Sequence, residues 1–543
     1  MNKVLNMKKI FTSIILLLSI VGIAKAQSEY MPYSYQSYQK FDAIEYSTST
    51  QEHTAFKPYI IDSATKGRYD SLMNYNADGK QHSWGYNKLF NEHLIDIKSA
   101  NSTFYADLLP NFTMGKNLSD AKESTALVSY GAQIGGTVGS KLYYYASWYG
   151  NQGDFPAYET NYINQTGIIP GEARAKVYGL NNYDWQYYTA VISYTPNKYL
   201  NITAGNDKNF IGDGYRSLFL SDYISPYPFF KLTGTLGNVQ YTAMWAHFDD
   251  PDDLDANGNP RQKWGVFHYF DWNVSKKLSF GFFDSVIWYD KDDAGHERGF
   301  DVTYLNPITF LRPLEASNGS PDNALIGFTG KYKLTDGITG YGQFMLDEFQ
   351  AKQFFTDNGS SRNKYGYQLG IKGANIFGVK GLNYLLETNN VKPYTYSERG
   401  PILSFTGNGA PLAHPWGANF RELVGQLNYS YKRFDFSGEG DYGHYGQDPL
   451  TGQDYGIDPY QDYTTPAKLE GNYIGQGVTT NMYYLEGKVA YVLNPKYNLR
   501  IELTALYRDE KNVDYDDKTT LFTIGIRSSF RQIYDDIAAP KTH

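Results

Sequence analysis

Between Thr103 and Phe530 the chain returns again and again to runs of about ten residues that alternate apolar and polar side chains. In residues 433–442, Phe434, Phe436, Gly438, Gly440 and Tyr442 share one face, and Asp435, Ser437, Glu439 and Asp441 share the other. In residues 499–508, Leu499, Ile501, Leu503, Ala505 and Tyr507 oppose Arg500, Glu502, Thr504, Leu506 and Arg508. In residues 364–372, Tyr365, Tyr367, Leu369 and Ile371 oppose Lys364, Gln368 and Lys372. Successive side chains of a strand point to opposite faces, so each run is a strand with one greasy and one charged side. Strands of soluble sheets run to about 5–6 residues, whereas a membrane-spanning strand needs about 9–11. These runs have the longer length, and about 18 of them fit in this part of the chain.

The links between runs carry the stronger signal. Short links at 195–198, 237–238, 275–277, 334–337, 432–433 and 494–498 alternate with long ones at 150–183, 207–227, 249–261, 290–322, 392–418 and 443–479. Tight turns at one end and long loops at the other are expected of an outer-membrane barrel. The fold class expected is therefore all-β: a transmembrane outer-membrane barrel of about 18 antiparallel strands, partly plugged by inward loops and an N-terminal segment. Composition agrees. The chain has 52 Tyr, 52 Gly and 31 Phe with a mean hydropathy of only −0.52. Aromatic girdles and a wet interior account for that mixture, which a Leu/Ile/Val core does not.

Residues 1–26 read as a signal peptide. Lys3, Lys8 and Lys9 precede an apolar run from Ile10 to Ile23, and Ala24-Lys25-Ala26 forms the cleavage motif. Loss of its four lysines takes the formal net charge from −8 to −12, which disfavours nucleic acid as a partner. No cysteine is present, so disulfides and thiolate metal sites are excluded. Residues 27–101 do not alternate and are expected to form a periplasmic arm or plug. Residues 102–530 form the barrel, and residues 531–543 are expected to be a periplasmic tail.

No linear motif points to catalysis. Gly205–Ser217, GNDKNFIGDGYRS, carries three glycines and four charged side chains but lacks a phosphate-loop pattern and leads into no helix. Asp253, Asp255 and Asn257 imitate the start of a calcium loop, yet the twelfth position is Trp264 rather than Glu. The chain is therefore expected to be no enzyme, to need no cofactor and to hold no metal, this weak calcium candidate aside.

Three long links combine charge, Pro-aromatic pairs and Gly. Their candidate polysaccharide-binding residues are Asp207, Lys208, Asp213, Tyr215, Arg216, Arg312, Glu315, Asp322, Asn323, His414, Trp416 and Arg421. Aromatic faces stack on sugar rings, and Asp, Asn and Arg hydrogen-bond hydroxyls and carboxylates. The same residues can instead form a salt-bridged network that closes the pore.

The stretches GNDKNFIGDGYRSLFLSD (205–222), YLNPITFLRPLEASNGSPDNALIG (304–327), YGQFMLDEF (341–349), VKPYTYS (391–397) and LAHPWGANFREL (412–423) resemble the capsule-assembly Wzi family. The likeness is to its gliding-motility, RemB-like branch. It implies a barrel of about eighteen strands, partly plugged, that binds or helps assemble capsular or surface polysaccharide. A component of the gliding-motility or surface-adhesin machinery, with partner proteins of that machinery, is the alternative. A diffusion porin is a second alternative. Outer-membrane lipid is the expected surrounding in each case.

Overall fold

The computed structural model describes residues 30–61, 65–74, 80–120, 123–177, 182–255, 257–292, 294–307, 322–348 and 358–538. The signal peptide, its cleavage site, Arg312 and Glu315 lie outside them. Eighteen antiparallel strands close into a barrel. The first nine are β1 (Ser102–Asn117), β2 (Ser124–Val138), β3 (Leu142–Asp154), β4 (Tyr183–Asn197), β5 (Leu200–Asp207), β6 (Tyr227–Leu236), β7 (Val239–Leu254), β8 (Pro260–Asn273) and β9 (Leu278–Tyr289). The rest are β10 (Asn323–Thr335), β11 (Ile338–Glu348), β12 (Lys364–Gly373), β13 (Leu382–Val391), β14 (Phe420–Tyr431), β15 (Phe434–Gln447), β16 (Val478–Asn494), β17 (Leu499–Lys511) and β18 (Asp516–Ser528).

Each strand pairs with the next, and β18 returns to β1 with Ile526 opposite Phe112, so the wall has no free edge. That closure satisfies every ladder inside the bilayer, which an open sheet could not do. Alternation sets the faces. Met114, Leu503, Phe522 and Ile524 point outward and are half to two-thirds exposed, whereas Asn111, Glu502 and Arg508 point inward and are buried. No helix among the described residues is long and apolar enough to cross a membrane.

Tight connections cluster at one end of the barrel. Gly237 and Asn238 join β6 to β7 through a two-residue turn, with Gly237 at φ 64°. Such turns suit residues that tolerate positive φ. By the usual asymmetry this is the periplasmic end, and both ends of the barrel sequence emerge there. Three links depart from the expected alternation: 118–123, 255–259 and 512–515 are short although they lie at the loop end, and the expected long link 249–261 shrinks to 255–259 because β7 and β8 stay paired out to Leu254 and Pro260. A short strand, Ile95–Lys98, adds to β1 beside its periplasmic half, with Ile95 opposite Ala106.

The lumen is filled by the chain itself. Residues 30–61 run inside it, where Met31, Tyr33, Tyr38, Phe41 and Phe210 pack into one cluster. Phe56 and Lys57 pair antiparallel with Ile211 and Phe210 of the inward loop 208–226. The wall fastens the segment through Lys372–Asp42 at 3.0 Å and Lys40–Asp435 at 2.6 Å. Lys333 adds a bond to the Glu45 carbonyl at 3.0 Å.

The C-terminal residues correct the expectation of a periplasmic tail. Residues 529–538 fold back into the barrel. Arg531 donates to Asn151 at 2.7 Å and also pairs with Glu172, and Tyr534 donates to Asp222 at 2.6 Å. The reversal is fixed at its root, where Asn498 on the turn before β17 donates to the Ser529 carbonyl at 2.6 Å. Charged tail residues find partners in the lumen that a solvated tail would lack.

Candidate functional site

Gly205–Ser217 finishes β5 and then turns into the lumen. Gly214 permits this approach, because a Cβ there would overlap the Glu387 carboxylate. That carboxylate accepts from the backbone N–H groups of Tyr215 and Arg216, both at 3.1 Å, and from the Tyr341 hydroxyl at 2.8 Å. The loop thus delivers Arg216 into the lumen, where it is buried. Its Nε donates to Glu422 at 2.9 Å, its Nη2 donates to Asp536 at 2.7 Å, and Asp441 lies 3.8 Å away. His414 meets the second oxygen of Glu422 at 2.8 Å, and Trp416 donates its indole N–H to the Asp536 carbonyl at 3.1 Å. Burial pushes the His414 imidazole below its ordinary value. One guanidinium therefore joins loop 208–226, loop 392–419, β14 and the C-terminal segment.

The other candidates are also engaged by protein groups. Asp207 accepts from the Tyr30 hydroxyl, and Lys208 donates to the Gly171 carbonyl. Asp213 accepts from Tyr46 at 2.7 Å and Thr54 at 2.5 Å, and pairs with Lys331 at 3.3 Å. Burial pushes that carboxyl up, but the ammonium groups of Lys331 and Lys57 outweigh it and hold Asp213 below the usual carboxylate range. Tyr215 donates to Asp536 at 2.9 Å. Asp322 binds Arg298 and accepts from Tyr304 at 2.7 Å, and Asn323 donates to the Leu403 carbonyl at 2.9 Å.

Only Arg421 among the described candidates faces outward, at the loop end of β14. Asp253, Asp255 and Asn257 form no cation cage. Asp255 accepts from the N–H groups of Asn257 and Asn259, and Asp253 pairs with Arg261 at 3.0 Å. No group of three or more metal-ligating acids or histidines stands together among the described residues.

Sequence reasoning missed the acceptors of this network: Glu387, Glu422, Asp441 and Asp536. A signal existed for three of them, since each is an acid at an inward position of an alternating strand. Asp536 gave none.

Above the network, long loops are stitched into a cap. Asn419 donates to the Gln476 carbonyl at 3.0 Å and accepts from the Gly475 N–H at 2.8 Å. The Ala418 N–H meets the Ile457 carbonyl at 3.1 Å, and Gly471 and Asn472 bond back to Asn358 and Gly359 at 2.8 and 2.9 Å. On its surface Tyr473 is 56 % exposed, with the Lys468 ammonium 5.7 Å from its ring.

No protein-family model matches the chain, and no curated protein matches it in sequence. Its fold is similar to that of Escherichia coli Wzi, described as a carbohydrate-binding outer-membrane β-barrel involved in group 1 capsule assembly. The TM-score is 0.55 at 13 % identity, covering 92 % of this chain and 100 % of that one. Acinetobacter baumannii OccAB2 aligns with a TM-score of 0.42 at 9 % identity over 79 % of this chain and 97 % of its own. Pseudomonas aeruginosa OprD gives 0.41 at 12 % identity over 81 % and 97 %.

Proposed function

We propose that this outer-membrane barrel holds capsular or surface polysaccharide on its extracellular cap and performs no chemistry on it. The observation that carries the reading is the lumen. An N-terminal segment, inward loops and the C-terminal segment occupy it, and their charges are matched to one another rather than to a passing solute. A barrel so filled works through its faces. Its loop end is hydrogen-bonded and presents aromatic and charged groups such as Tyr473 and Lys468. Rings beside ammonium groups suit acidic glycans, because the ring takes the sugar's apolar face and the cation its carboxylate.

The test is retention of the cell's own polysaccharide by the purified protein. Wild type should co-purify with it, and Tyr473→Ala combined with Lys468→Ala should lower the amount about tenfold, as expected for loss of an aromatic anchor and its charge. Equal retention by wild type, the double variant and an unrelated barrel would remove the proposal.

A further inference from the structure

The periplasmic mouth of the lumen contains a polar space. It is a cavity of about 400 Å³ between the plug and the inner faces of β4 to β7. Small-molecule pockets begin at about 300 Å³. Its strand wall includes Thr195, Asn201, Thr203, Thr233, Gln240 and Thr242, uncharged donors and acceptors, together with Lys231. Elsewhere the lumen wall is lined differently. On β15 and β17, the corresponding inward positions hold Asp435, Asp441, Arg500, Glu502 and Arg508. Of the strand residues lining the cavity, Lys231 alone is charged, within a strongly charged barrel.

Lys198 and Glu52 also line the space, and three further charged groups there are engaged by the protein. Lys231 donates to Asn209 at 2.8 Å, Glu45 pairs with Arg68 at 2.6 Å, and His53 lies 3.2 Å from Asp271. The threonine and asparagine side chains bond to one another: Asn201 to Thr195 at 2.9 Å, Thr203 to Asn201 at 2.7 Å, and Thr233 to Thr242 at 3.3 Å. Each hydroxyl has one donor and two acceptor sites, so these bonds orient it and leave accepting capacity. Phe56, Tyr59 and Phe229 supply aromatic surface to the same space. Asn197, Thr235 and Gln240 place its mouth beside the turns 198–199 and 237–238, at the periplasmic end.

We propose that this cavity binds a neutral saccharide of one or two rings that enters from the periplasm. A sugar ring has a hydroxyl rim and an apolar face, and the cavity offers oriented hydroxyls and amides together with aromatic rings. An acidic sugar would bring its carboxylate toward Glu45 and Glu52, with the exposed Lys198 at the rim and Lys231 already committed to Asn209. This site lies at the opposite end of the barrel from the cap and does not depend on glycan binding there.

The experiment is saturation-transfer NMR on the full-length barrel in dodecyldimethylamine oxide, a detergent without a sugar headgroup. The probes are glucose, N-acetylglucosamine, lactose and glucuronate. The neutral sugars should receive saturation and glucuronate should not. Thr203→Val combined with Thr233→Val keeps the side-chain volume and should weaken neutral-sugar binding about tenfold, because sugar hydroxyls then lose their partners. Unchanged heat-modifiable gel mobility of the variant would establish that it still folds. If it does not, Gln240→Leu at the rim serves in its place with the same expected loss. Absence of transfer to every neutral sugar, equal transfer to glucuronate, or an unaltered response in a folded variant would overturn the proposal. Polysaccharide retention at the cap should be unaffected by these variants, so failure here and failure there are separable.

Discussion

Arg216 is the residue on which the plug converges. It is buried with Glu422 and Asp536 on either side, and removal of one partner from a buried ionic cluster costs about 3–5 kcal/mol because the remaining charges lose their compensation. Arg216→Ala should therefore release loop 208–226 and the C-terminal segment while leaving the barrel wall folded. Hydrogen exchange at residues 212–218 should rise steeply, and exchange in β16 to β18 should not. Asp213 supplies a pH dependence of known sign. Its folded-state value lies below the ordinary carboxylate value of about 3.9, so its contribution is complete above that pH and fades as the pH falls through the folded value. Plug protection should weaken in acid below about pH 4, and Asp213→Asn should remove that part of the response. Most candidate binding residues were legible as chemically unusual, but not as plug residues. Asp207, Arg216 and His414 have the same composition signature whether their partner is a sugar or Tyr30, Glu422 and Asp536. Only the folded contacts separate the two.

At the scale of elements, strands were the legible part because each carries its own period. Residues 433–442, 499–508 and 364–372 all lie within or at the edge of barrel strands. The alternating links placed the loop 208–226 almost to the residue. Segment 30–61 has no period to read, since its order comes from partners hundreds of residues away, such as Lys372 for Asp42 and Lys331 for Thr54. The tail was misplaced for the same reason: Tyr534 and Asp536 reveal nothing until Asp222 and Arg216 are brought to them. The position of the N-terminal segment is open to a direct test. Phe56 and Ile211 face each other across an antiparallel pair, a Cα separation of about 4.5–5.5 Å that a disulfide can bridge. The chain has no cysteine, so Phe56→Cys with Ile211→Cys introduces the only two thiols. They should oxidise to an intramolecular disulfide, seen as a mobility shift reversed by reductant. Two freely alkylated thiols would place residue 56 outside the lumen.

For the whole molecule, a closed wall with an apolar exterior satisfies the bilayer, and a charged interior is matched by charges from the plug. The same chain supplies both the wall and the segments that occupy its lumen. Loss of plug contacts should thus appear as loss of closure before loss of the barrel. Single-channel recording of the purified protein in a planar lipid bilayer tests this most directly. The inserted protein should show no steady conductance, with conductance appearing in Arg216→Ala. A large, constant conductance from the unaltered protein would contradict it.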